Sequence, residues 1–265
     1  MISAPRVLIL RAPGTNCDEE TAFAFDMAGA VSERVHVNRL IENPTLGDRY
    51  QILCLPGGFS YGDDIAAGRI LASRLSRHLA SLIRDFCDGD RLVLGICNGF
   101  QVLMRLGILT EGLGHPTPAT LTWNDHGRFE DRWVHLRSET KVPTPCVFLK
   151  DIDHMYLPMA HAEGKFMTIS NAVRDQLANS GRLALRYATP EGETGDEVLP
   201  FPHNPNGAEC NVAGICDASG RLFGLMPHPE RHVDATHHPF WTRRSEQPRH
   251  GEGFQVFKNA VEYFA

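Results

Sequence analysis

Three features of this 265-residue chain predict an α/β fold, a mostly parallel sheet with helices on both faces and strand-hairpin additions. Short apolar runs alternate with helical periods as far as Leu106, the pattern of βα units whose crossovers lay helices over a parallel sheet. The second half is richer in strand-like runs, which supply the added hairpins. In Gly95-Ile96-Cys97-Asn98-Gly99 an apolar strand meets a helix across a cysteine set between glycines. Sheets of this kind carry their active sites at the carboxyl ends of strands.

Val7–Leu10 reads as the first strand, followed by a helix over Asp18–Gly29. Val35–Val37 and Ile52–Leu55 supply two more strands. Leu71, Leu75, Leu79, Leu82, Ile83 and Phe86 recur at helical spacing and predict one long amphipathic helix. Leu92–Ile96 is the next strand and Asn98–Leu106 the helix behind it. Further strands are expected at Trp133–Leu136, Val147–Leu149, Phe166–Ile169, Leu183–Tyr187, Val212–Ile215 and Leu222–Leu225. Helices are expected at Asn171–Asn179 and Phe254–Phe264. Glu191–Asn211, rich in Pro, Gly and Asn, reads as a loop. No repeat or long linker divides the chain, so residues 1–265 are expected to form a single domain.

Lys and Arg number 26 against 32 Asp and Glu, a formal net charge of −6 that offers no basic field for nucleic acid. No apolar run approaches a membrane span. Met1–Arg6 is too short and wrongly flanked for a signal peptide, so a cytoplasmic location is expected. The seven cysteines are an odd count without a Cys-x-x-Cys pair, and Cys210 and Cys216 have the spacing of neither a zinc knuckle nor a redox motif. A reduced compartment, one working thiol, structural Cys54 and Cys87, and no metal site follow.

That working thiol is Cys97. A strained strand-to-helix turn projects its side chain above a helix N-terminus, where the dipole and free N–H groups favour a thiolate. A thiol nucleophile needs a base. Among thirteen histidines, His228 stands out, because strand Leu222–Leu225 runs into Pro227-His228-Pro229-Glu230. The prolines hold the backbone extended, and Glu230 is placed to orient the imidazole. Gly57, Gly58 and Phe59 follow strand Ile52–Leu55, so their amides are placed to join that of Asn98 in an oxyanion hole. Neither a Gly-x-x-x-x-Gly-Lys-Ser/Thr loop nor a Gly-x-Gly-x-x-Gly after the first strand is present, so the chain shows no ATP or dinucleotide site of its own.

Gly95-Ile-Cys97-Asn-Gly-Phe-Gln101 together with His228-Pro-Glu230 resembles the class I glutamine amidotransferases. Five further blocks narrow the likeness to the glutaminase subunits of phosphoribosylformylglycinamidine (FGAM) synthases. They are Pro13–Asp18, Gly57–Asp63, His161–Phe166, Asn204–Gly207 and Met226–Arg231. The resemblance implies a flavodoxin-like class I amidotransferase fold. It also implies hydrolysis of L-glutamine through a cysteine thioester, with the ammonia passed to a large synthetase subunit that uses ATP and Mg. A small third subunit is implied as well, and no cofactor in this chain. It makes Cys97 the nucleophile, His228 the acid and base, and Glu230 the orienter. Gly57, Gly58, Phe59 and Asn98 would form the oxyanion hole, while Gln101, His161, Ala162 and Glu163 would hold glutamine. Asn16 and Asp18 would cap a helix or face a partner.

Two departures from the family pattern stand out. Ala162 takes a position usually held by glycine, so a left-handed backbone angle there would be strained by its β-carbon. After Asn204–Gly207 the chain reads Ala-Glu-Cys-Asn where a serine is expected. The long segment His232–Gly253, with His237, His238, Arg243, Arg244, Arg249 and His250, reads as a solvated or partner-facing loop. Two other readings stay open at this point: a cysteine peptidase on a similar fold, and a non-catalytic regulatory subunit.

Overall fold

The computed structural model describes residues 4–139, 146–244 and 248–265; Met1–Ser3 and residues 245–247 of the His232–Gly253 segment lie outside the described residues. Strands β1 (Arg6–Arg11), β2 (Val31–His36), β3 (Ile52–Leu55) and β4 (Leu92–Ile96) form the first part of a nine-stranded sheet. β5 (Ala119–Trp123) and β8 (Glu163–Thr168) pair apart from it as a two-stranded ribbon. The large sheet is completed by β6 (Glu130–Ser138), β7 (His154–His161), β9 (Leu185–Ala188), β10 (Val212–Cys216) and β11 (Leu222–Leu225). Its order is β2-β1-β3-β4-β11-β10-β9-β6-β7. From β2 to β11 every neighbouring pair is parallel, and from β11 to β7 every pair is antiparallel.

The inner strands β3, β4 and β11 are apolar along their length because both faces are covered, whereas edge strand β2 carries Ser32, Glu33 and Arg34. Every residue of β3, β4 and β11 is buried. The helices that cover them are α1 (Asp18–Met27), α2 (Val37–Glu42), α3 (Arg69–His78), α4 (Ala80–Asp88), α5 (Asn98–Leu106) and α7 (Phe254–Glu262); α6 (Asn171–Asn179) follows the ribbon. One contiguous apolar core runs from Val7 to Ala260.

Several expectations are corrected. The second strand begins at Val31, and Val37 opens α2 rather than closing a strand. The long amphipathic helix breaks at Leu79 into α3 and α4. Leu79 N–H still donates to Leu75 O and Ile83 N–H to Leu79 O, so the apolar stripe keeps its face across the break. Val147–Leu149 is a 3₁₀ turn, held by Val147 N–H on Gly220 O and by Asn259 Nδ2 on Phe148 O. Strand β8 starts at Glu163 and strand β9 at Leu185, each offset from the expected run.

β5 and β7 are additional strands. β7 alternates buried Met155, Leu157, Met159 and His161 with half-buried residues, the period-two pattern of a strand with one covered face. Its Pro158 is tolerated because β7 is an edge strand.

The junction of β4 and α5 is set by contact between main chains. A β-carbon on Gly99 would lie 1.9 Å from the carbonyl oxygen of Leu55 at the end of β3, and one on Gly95 would lie 2.8 Å from Gly99 itself. Only glycine at both places lets α5 sit this close to the strand ends. Gly99→Ala is therefore expected to destabilise by about 1–3 kcal/mol through overpacking. In a chain of this size that reads as a fall of several degrees in the thermal midpoint. Calorimetry checks it; an unchanged midpoint would show that the helix can back away without cost.

Candidate active site

Tight packing of α5 forces the residue between β4 and α5 to turn sharply. Cys97 adopts φ 51°, ψ −107°, a left-handed angle that an L residue holds only when its surroundings impose it. The sulfur stands at the N-terminus of α5 and donates to the carbonyl of Ala160 in β7 at 3.6 Å. His228 comes from the end of β11, the strand next to β4. Its backbone N–H donates to Pro158 O at 2.8 Å, which ties the Pro-His-Pro segment to β7. Its Nδ1 lies 2.6 Å from Glu230 Oε1, and both side chains are buried. Nε2, by contrast, is buried and without a hydrogen-bond partner.

Burial opposes a charged imidazole at His228, but the Glu230 carboxylate and the neighbouring Cys97 outweigh it and raise its pKa well above the usual histidine value. Thiol, imidazole and carboxylate thus come from two adjacent strand ends, an arrangement compatible with a nucleophile, base and orienter.

Beside Cys97 opens a cavity of about 270 Å³ lined by Asp63, Gln101, Trp123, His161, Ala162 and Glu163, among others. Asn98 ties its walls together. Asn98 Oδ1 accepts from Ser60 N–H at 3.1 Å, and its Nδ2 donates to Asp63 Oδ1 at 3.1 Å and Gln101 Oε1 at 2.8 Å. Gln101 Nε2 donates to the Glu163 carbonyl, and the Glu163 carboxylate lies 3.8 Å from Arg105. The cavity therefore presents two carboxylates and a side-chain amide beside a thiol, a set that favours a ligand with a cationic group.

Residues 4–264 match the family model of the CobB/CobQ-like glutamine amidotransferase domain. The chain belongs to this amidotransferase family. Among its relatives, phosphoribosylformylglycinamidine synthase subunit PurQ of Dehalococcoides mccartyi is 42% identical, over 99% of this chain and 98% of that protein. A Methanococcus maripaludis protein of the same name is 39% identical over 98% of this chain and 97% of that one. The structure of PurLQS from Thermotoga maritima superposes with a TM-score of 0.72 at 28% identity, covering 99% of this chain and 100% of that one.

Other parts of the amidotransferase differ from expectation. The Phe59 amide is already engaged, since it donates to Gly14 O at 2.9 Å. That leaves the amide of Asn98, at the first position of α5 and without an intrahelical acceptor, and that of Gly58, which lines the cavity with Cys97. Gly57 uses its carbonyl instead, accepting from the Asn16 and Cys17 amides at 3.4 and 3.3 Å. Ala162 is not among the residues with positive φ, so its β-carbon causes no left-handed strain. Its carbonyl accepts from Asn124 N–H at 2.8 Å. At Gly164, a β-carbon would lie 2.2 Å from the His161 ring, so glycine is needed there for that ring to fold inward.

The Asn204–Gly207 block is a brace and does not line the 270 Å³ cavity. Asn206 Nδ2 donates to Gly164 O at 2.9 Å, and Asn204 Oδ1 accepts from the amides of Asn206, Gly207 and Ala208. In the unexpected Ala-Glu-Cys-Asn that follows, Glu209 accepts from Thr168, and Asn211 holds Leu199 and Asn204. Asp18 caps nothing: it is buried and pairs with Arg11 at 2.8 Å and Arg34 at 3.3 Å. In the His232–Gly253 segment, His232 and His238 pack against Trp133.

One residue given no role by the sequence reading, Cys17, stands beside the base. Its sulfur lies 4.0 Å from His228 Nδ1 and 3.1 Å from an Arg231 guanidinium nitrogen. Its only sequence signal was membership of the Pro13–Asp18 block. Cys17, His228 and Glu230 bring three donor atoms within 4.8 Å of one another, the one such group among the described residues, but the adjacent Arg231 cation opposes a metal ion there.

Burial, assisted by His228 and His126, pushes His161 down to about 3. A histidine held neutral in the fold stabilises it above the unfolded-state value near 6.5 and loses that contribution as pH falls toward 3. Between pH 7 and pH 5 the native chain is expected to lose about 2 kcal/mol more than His161→Phe, at ~1.4 kcal/mol per pH unit below 6.5. Denaturant titrations at the two pH values check this, and parallel losses would show that His161 is protonated in the folded chain.

Proposed function

We propose that this chain hydrolyses L-glutamine to glutamate and ammonia through a glutamyl thioester on Cys97. The ammonia serves a separate ATP-dependent synthetase that converts formylglycinamide ribonucleotide to formylglycinamidine ribonucleotide in de novo purine synthesis. The observation that carries the chemistry is Cys97 held at a strained helix N-terminus beside a histidine whose Nδ1 is bonded to buried Glu230. The pathway assignment rests on relatives named PurQ that match nearly end to end.

Cys97 thiolate attacks the side-chain carbonyl of glutamine, and the oxyanion is held by the Gly58 and Asn98 amides. Asp63 and Glu163 face the α-ammonium, while Gln101 and His161 complete the wall. Protonated His228 gives its proton to the leaving nitrogen as the C–N bond breaks. Neutral His228 then takes a proton from water, which cleaves the thioester and restores the thiolate.

The chain forms one glutaminase domain over residues 1–265 and needs no cofactor or metal of its own. ATP and Mg²⁺ are used on the synthetase, with a small third subunit completing the assembly. The likeness to PurLQS from Thermotoga maritima supports association with a synthetase subunit. No helix among the described residues is long and apolar enough to cross a membrane, and a cytoplasmic location is part of this reading.

Intact-mass analysis after incubation with a glutamine-analogue diazo-ketone tests the assignment. One adduct is expected, blocked by glutamine and absent from Cys97→Ala. With the synthetase added, Cys97→Ala should lose glutamine-dependent but keep ammonia-dependent amidine formation; equal loss of both would make Cys97 structural. Glu230→Gln is expected to lower kcat by about 10³–10⁴-fold, because Glu230 acts through the imidazole's tautomer, orientation and charge. Steady-state kinetics should show little change in KM, and a variant with near-native kcat would remove Glu230 from the triad.

A further inference from the structure

Cys97 opens onto two cavities. The first, described above, holds Gln101, His161 and Glu163. The second, of about 230 Å³, is lined by Asn16, Cys17, Phe129, Asp131, His228 and Arg231. The two share Gly58, Phe59, Cys97 and Ala160, and only the second includes His228.

A tetrahedral intermediate on Cys97 has four substituents, and four directions must be found for them. Sulfur fixes one. The oxyanion points to the Gly58 and Asn98 amides. The carbon chain of the amino acid fills the first cavity, where the polar groups suited to it lie. The fourth substituent, the amide nitrogen, must face His228, which protonates it, and His228 borders the second cavity alone.

Resting on the glutaminase reading, we infer that the second cavity is the leaving-group vestibule: ammonia departs through it, and the water that hydrolyses the thioester enters through it. The same face must serve both steps, because His228 gives a proton to the departing nitrogen and takes one from the incoming oxygen. In the first step the C–N bond breaks as nitrogen gains the His228 proton and leaves as NH3. In the second, water oxygen bonds to the acyl carbon, its proton passes to His228, and the C–S bond breaks to give glutamate and thiolate. Exposed Asn16, Phe129 and Asp131 form the outer wall, so the vestibule communicates with the surface.

The assignment separates two properties that a single pocket would couple, the binding of glutamine and the size limit on the attacking nucleophile. The test gives the chain, with its synthetase present, glutamine and hydroxylamine, and measures γ-glutamyl hydroxamate against glutamate. Asp131→Trp, on β6, and Asn16→Trp, on the loop before α1, each place an indole at the vestibule wall. The hydroxamate-to-glutamate ratio is expected to fall about tenfold in either, the low end of what a pocket achieves against one extra heavy atom. KM for glutamine and diazo-ketone labelling of Cys97 should hold within about twofold, since the first cavity is untouched.

An unchanged ratio in normally labelled variants would overturn the inference. So would a raised KM with a fixed ratio, which would make the second cavity the glutamine site. The two substitutions sit on separate elements, so misfolding of one, seen as lost labelling, leaves the other to decide. Failure of the glutaminase reading itself shows earlier and differently, as a native chain that neither takes the label nor forms hydroxamate.

Discussion

The contact between Gly99 and the Leu55 carbonyl is the constraint on which the site depends. Without β-carbons at Gly95 and Gly99, helix α5 packs directly on the ends of β3 and β4, and a single residue joins strand to helix. Cys97 is that residue, at φ 51°. Its sulfur thereby stands clear of the sheet, over free amides at the start of α5, and within reach of the strand ends on either side. Strain at this one residue is repaid by the burial of α5, whose residues are almost all enclosed.

The antiparallel half of the sheet supplies what the parallel half lacks. Edge strand β7 gives the Pro158 carbonyl that anchors His228, the Ala160 carbonyl that receives the Cys97 thiol, and His161 at its end. The turn after it is bound by Asn124 and Asn206, residues more than 80 positions apart in the chain. A sheet that changes from parallel to antiparallel at β11 therefore carries the Cys97 thiol on one side of the change and the wall of the cavity beside it on the other. His228 sits between, at the end of the strand where the change occurs.

Charge is distributed with the same division of labour. The carboxylates of Asp63 and Glu163 face the cavity assigned to the amino acid, whereas Arg231 and Cys17 surround the far side of the imidazole. Burial favours the neutral form of His161, whereas Glu230 favours the charged form of neighbouring His228, so the two histidines are pushed in opposite directions. Their environments, rather than their identities, assign the proton.

Local sequence carried the parts of this protein that depend on near neighbours in the chain. The strands Ile52–Leu55, Leu92–Ile96 and Leu222–Leu225 were legible because strands covered on both faces must be apolar throughout. The placement of Cys97, His228 and Glu230 at neighbouring strand ends was legible because a turn between glycines and a proline-flanked histidine are themselves local geometry. β7 was obscured by Pro158, and β5 by an alternation only five residues long. Tertiary structure alone decided that the Phe59 amide is taken by Gly14, that Ala162 is unstrained, that the Asn204–Gly207 block is a brace, and that Cys17 lies beside His228. Each of these rests on which distant backbone group or side chain arrives within about 3–4 Å, a distance set by packing and invisible to periodicity.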